Sequence, residues 1–162
     1  MELIDVIDEN NKLTGEIEDR WVAYNKGLWR RTVSCWIINE KGEILLQRRT
    51  ANKKRNPNKW AKTGGQIDSG ESAEDAIFRE VKEELGILLT PGSEKLIYQS
   101  RRENVQDFYD VWLFHKNIKI EEMRLQETEV VDVQWVNPDK LFEMFRLKHL
   151  HPLITYVDQL IG

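Results

Sequence analysis

Three glutamates constrain this chain more than anything else in it. Glu80, Glu83 and Glu84 stand at i, i+3 and i+4, so a helix through them brings three carboxylates to one face, within reach of a common ion. Such a face repels itself unless a cation sits on it. Ala73, Ile77, Val81 and Leu85 recur every four residues and give the same helix an apolar stripe, with Glu80 and Glu84 on its flank. Those two acids are therefore expected at the edge of a core. Ser72 can cap the helix, with Asp75 three residues on as a weak capping box, and Glu74 and Asp75 suit the positive end of its dipole. Gly86 supplies the stop, and Gly64-Gly65 ahead of the helix permits close approach of main chain to a ligand. The stretch is predicted to be loop, helix and loop. The plainer alternative is a solvated acidic face. Seven acids (Asp68, Glu71, Glu74, Asp75, Glu80, Glu83, Glu84) against two bases (Arg79, Lys82) would suit either, but the fixed spacing favours an ion site.

Around those acids the order is Gly65, five residues, Glu71, seven residues, then Arg79-Glu80-Val81-Lys82-Glu83-Glu84-Leu85-Gly86-Ile87. This resembles the Nudix box, GX5EX7REUXEEXGU with U aliphatic, at every fixed position. At residue frequencies of about 5 to 7%, chance agreement is on the order of 10⁻⁹ per window. The resemblance implies a mixed β-sheet sandwiched between helices, and Glu80, Glu83 and Glu84 as catalytic metal ligands, with the Gly65 carbonyl as a fourth. It also implies that Glu71 and Arg79 mainly brace the loop and helix. Oxygen donors without a Cys/His cluster point to Mg²⁺ or Mn²⁺ rather than zinc. Leu125-Gln126-Glu127-Thr128-Glu129-Val130 resembles the LQExEV segment of the isopentenyl-diphosphate-isomerase-like Nudix hydrolases. So do the acidic N-terminal strand and Leu46-Gln47-Arg48-Arg49. On that resemblance Glu127 is the further catalytic acid, with Glu129 in reserve; either can equally be a solvated acid before a strand. The isomerase itself carries a catalytic cysteine shortly before the box, and Trp60-Ala61-Lys62-Thr63-Gly64-Gly65 has none. Isomerase activity is disfavoured accordingly.

With 162 residues the chain suits one domain spanning 1–162, and its mixture of strands and helices makes the expected class α+β. The net charge of -4 and pI near 5.5 argue against a protein built to coat nucleic acid. No stretch approaches the 18 or so apolar residues of a membrane span, and Met1-Glu2 opens no signal pattern, so a cytoplasmic protein is expected. The single cysteine, Cys35, lies in an apolar run and reads as a packed strand residue. Residues 2–8 alternate like a half-buried strand, and Glu9 to Lys12 form a turn. Lys12 to Gly27 is weakly patterned. Thr32 to Ile38 and Glu43 to Gln47 flank Asn39-Glu40-Lys41-Gly42 as a hairpin. Further strands are expected at Leu96 to Ser100, Asp110 to His115 and Val130 to Val136, where VVDVQWV alternates. Helices are expected at Pro138 to Phe145 and Pro152 to Ile161. Trp60, Trp112 and Trp135 lie where strands should meet a site but read first as core, and His115, His149 and His151 show no ligand spacing.

Between Arg48 and Lys59 stand six bases (Arg48, Arg49, Lys53, Lys54, Arg55, Lys59) and no acid. They are solvated loop charges or phosphate ligands, and their place just before the acidic box favours the second for the group. Arg48, Arg49 and Lys59 are the expected substrate-binding bases. Arg48 directly follows the strand, and alternation lets only one of Arg48 and Arg49 face the site. The function expected is metal-dependent hydrolysis of a diphosphate linkage in a nucleoside diphosphate linked to X, or in a related organic diphosphate. Isomerase chemistry and a catalytically silent nucleotide-binding module are the alternatives. The expected partner is a small-molecule diphosphate substrate, with no membrane and no nucleic acid; a homodimer is left open.

Overall fold

The computed structural model describes residues 2–53 and 56–150, so Lys54, Arg55 and the helix expected over 152–161 lie outside the described residues. In chain order the elements begin β1 (Leu3–Ile7), β2 (Leu13–Asp19), α1 (Arg20–Asn25), β3 (Arg30–Ile38), β4 (Ile44–Arg49), β5 (Trp60–Ala61) and β6 (Thr63–Gln66). They continue α2 (Ala73–Leu85), β7 (Lys95–Arg102), β8 (Asp107–His115), β9 (Val130–Val136) and α3 (Pro138–Arg146). Two compact units interleave along this path. One holds the chain up to Cys35 with Gly64–Glu80 and Glu94–Leu113; the other holds Trp36–Thr63, Val81–Ser93 and the chain from Phe114 onward. Among the described residues no helix is long and apolar enough to cross a membrane.

In the first unit β1 and β2 pair antiparallel, with Leu3 opposite Asp19 and Ile7 opposite Leu13. The Asp8 carboxylate closes the turn between them by accepting the Asn10 and Lys12 N–H groups at 2.8 and 3.0 Å. Asp19 then caps α1, accepting from the Trp21 and Val22 N–H groups. The weak pattern over Lys12 to Gly27 therefore hides both a strand and a helix. Its β2 part has no buried face, so no alternation marks it. The sheet of this unit runs β3-β8-β7, with β6 also on β3. Asp107, 1% exposed, ties those strands together. It accepts from Thr32 Oγ1 at 2.9 Å and from Arg102 Nε and Nη2 at 2.8 and 2.6 Å, which satisfies a carboxylate that would otherwise be costly to bury.

The second unit runs β5-β4-β3, with β9 also pairing β4. The expected hairpin is present: Ile38 faces Ile44, and Asn39 Oδ1 accepts the Lys41 and Glu43 N–H groups at 3.0 and 2.9 Å. β9 departs from its expected alternation. Its buried residues are Val130, Val133 and Val136; the register against β4 slips between Arg48 and Arg49, which leaves Val131 as an exposed bulge and sets Val130 and Val133 three residues apart on the buried side. Cys35 is buried in β3, and Trp112 in β8, as packing residues. α3 starts at Pro138 as the sequence predicts, and Asn137 caps it through the Lys140 N–H at 2.8 Å.

α2 ends on Gly86, whose φ of +68° places it in the left-handed region. A Cβ there would lie 2.7 Å from Arg124 Cβ and 3.0 Å from the Arg124 backbone nitrogen. Gly86→Ala is expected to cost about 1 to 3 kcal/mol, through backbone strain and displacement of the Arg124 segment. Thermal unfolding of the variant reads this directly; an unchanged midpoint would show that the segment is not seated on the helix end.

Candidate active site

Ser72 starts α2 as expected: its Oγ accepts the Asp75 N–H at 3.1 Å and its carbonyl the Ala76 N–H at 3.0 Å. Ile77, Val81 and Leu85 are fully buried, so the predicted apolar stripe exists. The three carboxylates differ in setting. Glu84 is 9% exposed, the Glu80 side chain 14%, and Glu83 lies in solvent.

Within the first unit, Arg79 organises the loop that leads into the helix. Its Nε and Nη2 donate to Glu71 Oε2 and Oε1 at 2.8 and 2.9 Å, a two-pronged pair. Its Nη1 donates to Glu80 Oε1 at 2.9 Å and its Nη2 to the Gln66 carbonyl at 3.1 Å, with Asp68 at 3.4 Å. Glu71 Oε1 also accepts the Asp68 N–H at 3.0 Å. Burial alone pushes the Glu71 carboxyl up; the Arg79 hydrogen bonds, the Asp68 N–H and the Arg79 charge outweigh it and hold the group below its ordinary range. The Glu71 hydrogen bonds, followed by the Glu80, Glu71 and Asp68 charges, raise Arg79 against the opposing effect of its burial. The loop is anchored to β1 as well, since Ser69 Oγ and the Gly70 N–H donate to Asp5 at 2.6 and 3.1 Å. Gly65 leaves room for Glu80: a Cβ at that position would lie 2.5 Å from Glu80 Oε1.

Within the second unit, Glu84 Oε2 accepts from Gln47 Nε2 at 2.7 Å, and the same nitrogen donates to Thr63 Oγ1 at 2.9 Å. Sequence reasoning assigns Gln47 no role of its own; a lone amide in the buried run Ile44 to Gln47 is the signal that points to it. The last carbonyls of α2 are taken by the segment before β9, Arg124 N–H donating to Leu85 at 2.8 Å and Gln126 N–H to Glu84 at 2.9 Å. This sets Glu127, an exposed turn residue, immediately after the residue bonded to the Glu84 main chain. Glu129 forms an ion pair with Lys53. The basic residues part ways. Arg48 lies over the Trp60 ring at 6.0 Å, Arg49 Nε donates to the Asn56 carbonyl at 3.1 Å, and Lys59 Nζ donates to the Lys148 carbonyl at 2.7 Å. Among the described residues no three His, Cys, Asp or Glu side chains are gathered as a ready metal cluster; Glu80 is turned toward Arg79 and Glu84 toward Gln47.

Because Glu71 is held below its ordinary pKa when folded, its contribution is present above the unfolded value and is lost as pH falls through the folded one. Glu71→Gln is expected to cost about 1 to 2 kcal/mol near neutral pH. Urea unfolding of both proteins from pH 7 downward tests this: the gap should narrow in acid, and a gap independent of pH would contradict the charged brace.

Residues 28–156 match the protein family described as NUDIX domain, and the box at 65–87 lies inside that match. A Nudix hydrolase of Listeria monocytogenes is 32% identical over 142 residues, 87% of this chain and 83% of that protein. An isopentenyl-diphosphate Delta-isomerase of Salmonella heidelberg is 30% identical over 135 residues, 80% of this chain and 74% of the isomerase. A crystal structure from Deinococcus radiodurans superimposes with a TM-score of 0.81 at 21% identity, covering 98% of both chains, and so shares the fold. The expected α+β sandwich with a mixed sheet is the fold of this protein, and by its sequence the chain belongs to the Nudix hydrolase family.

Proposed function

We propose that this hydrolase cleaves the diphosphate linkage of a nucleoside diphosphate joined to a further group, or of a related organic diphosphate, with Mg²⁺ or Mn²⁺ held at α2. The observation that carries this reading is the single helix bearing Glu80, Glu83 and Glu84, with the first and last at the border of the core. The donor set suits a hard cation. It is all oxygen, and the Gly65 main chain meets the Glu80 carboxylate with no side chain between them. Glu80, Glu83 and Glu84 would hold the ion, with the Gly65 carbonyl as the fourth protein ligand. A bound ion supplies positive charge that polarises phosphoryl oxygens and acidifies water.

The remaining roles fall to the chain itself. Glu127, exposed and unencumbered by the ion pair that engages Glu129, accepts the proton of the attacking water. Glu71 and Arg79 keep the loop against the helix start. Arg49 lies two residues after Gln47 on β4, on the face from which Gln47 reaches Glu84, whereas Arg48 points to the other face and Trp60. Of the two arginines, that favours Arg49 as the phosphate ligand. Lys59 serves better as the tether of its loop to Lys148 than as a substrate ligand. We read the whole chain as one domain, because each unit is assembled from three separate segments and neither can be excised as a continuous piece.

Hydrolysis is favoured over isomerisation by the absence of a cysteine from Trp60 to Gly65 and by the burial of Cys35. The complete acid set argues against a silent binding module. A Mg²⁺-dependent panel of nucleoside di- and triphosphates, ADP-ribose, NADH, dinucleoside polyphosphates, CoA, nucleotide sugars and prenyl diphosphates, scored for phosphate or nucleotide release, tests the reading. At least one member should be hydrolysed; none hydrolysed, with isomerised prenyl diphosphate instead, would overturn it. Glu83→Gln and Glu84→Gln should each lower the rate by about 10² to 10⁴, roughly 3 to 5 kcal/mol, with circular dichroism unchanged. A wild-type rate in either sinks the ligand assignment.

The two arginines separate phosphate binding from solvated charge. Arg49→Ala is expected to lower kcat/KM by about 1.5 to 3 kcal/mol, more at low salt than at high, and Arg48→Ala by under about 1 kcal/mol. Steady-state kinetics at two ionic strengths decide; equal and negligible effects would place the phosphate elsewhere.

A further inference from the structure

Gln47 is an expensive residue where it stands. It is 6% exposed and follows Ile44, Leu45 and Leu46, so an aliphatic side chain would fill the position without a polar group to satisfy. Its backbone is fixed on both sides, opposite Ala61 of β5 and Val133 of β9. Its amide nitrogen serves two acceptors, Thr63 Oγ1 and Glu84 Oε2. Turning the amide over would set Gln47 Oε1 against the carboxylate, acceptor against acceptor, so Glu84 itself fixes which way the amide faces.

Glu84 is correspondingly incomplete without Gln47. The helix fixes its Cα, and the Gln126 N–H on its carbonyl pins the end of that helix. The last side-chain torsion of a glutamate is broad and sets where both carboxylate oxygens point. Gln47 restrains that torsion through Oε2 at 2.7 Å and so contributes to how Oε1 is presented.

We propose that Gln47 is a positioning residue: held by Thr63, it orients the Glu84 carboxylate for the divalent cation. This rests on the reading of Glu84 as a metal ligand. Removal of such an outer partner commonly weakens metal binding by about 10- to 100-fold.

Direct Mn²⁺ binding without substrate, read by electron paramagnetic resonance of free Mn²⁺, tests it on wild type, Gln47→Met, Thr63→Val, Glu84→Gln and the double variant Gln47→Met with Glu84→Gln. Thermal unfolding of each metal-free protein runs alongside. Gln47→Met should raise the Mn²⁺ dissociation constant about 10- to 100-fold. Thr63→Val should raise it less and carries the test should Gln47→Met not fold. Both act through one carboxylate, so the double variant should bind no more weakly than Glu84→Gln alone. Wild-type Mn²⁺ affinity in Gln47→Met and Thr63→Val, with only the unfolding temperature lowered, would reduce Gln47 to packing and overturn the proposal. Losses that multiply in the double variant would overturn it too, by showing an effect independent of Glu84. Wild-type affinity in Glu84→Gln would instead remove the ligand reading beneath it.

Discussion

The Arg79 guanidinium is the interaction on which the candidate site depends. A planar fork with five N–H donors binds both oxygens of Glu71, one oxygen of Glu80 and the Gln66 carbonyl, so one side chain fixes the start of the loop, its end and the helix that follows. Lysine could not do this, since its ammonium is a single point of charge without paired, coplanar donors. The arrangement also explains how an acid-rich loop stays folded. Asp68, Glu71 and Glu80 crowd one cation, and the repulsion among them is spent on attraction to Arg79.

At the other end of α2 the problem is different. Glu84 is nearly buried, where a charge is tolerated only with donors in place. The fold supplies one such donor from strand β4, the Gln47 amide; an arginine at that position would neutralise the carboxylate it holds. The main chain at Arg124 and Gln126 then consumes the free carbonyls of the helix end, which seats the turn carrying Glu127. Burial of Ile77, Val81 and Leu85 thus holds a helix whose polar ends are each completed by a different segment.

Much of this is legible in the sequence where local chemistry and burial agree. The cap at Ser72, the stop at Gly86 and the hairpin turn at Asn39 each rest on one side chain or one backbone angle, and each stands where the sequence predicts. Long-range partners are another matter. Nothing adjacent to Gln47 marks it as the partner of Glu84, 37 residues on, and nothing adjacent to Lys59 announces Lys148. β2 escapes because Leu13 and Ile17 are exposed, so its apolar residues report no core, and β5 is too short to show a period. The choice between Arg48 and Arg49 needs the face of Gln47, which only the folded strand supplies.

The role proposed for the α2 carboxylates is to hold a divalent cation for phosphoryl chemistry. Its most direct test is a crystal grown with Mn²⁺ and measured at a wavelength where manganese scatters anomalously. An anomalous peak is expected at about 2.0 to 2.3 Å from carboxylate oxygens of Glu80, Glu83 or Glu84. A peak coordinated elsewhere, with Glu80 still on Arg79, Glu84 still on Gln47 and no density beside them, would contradict it.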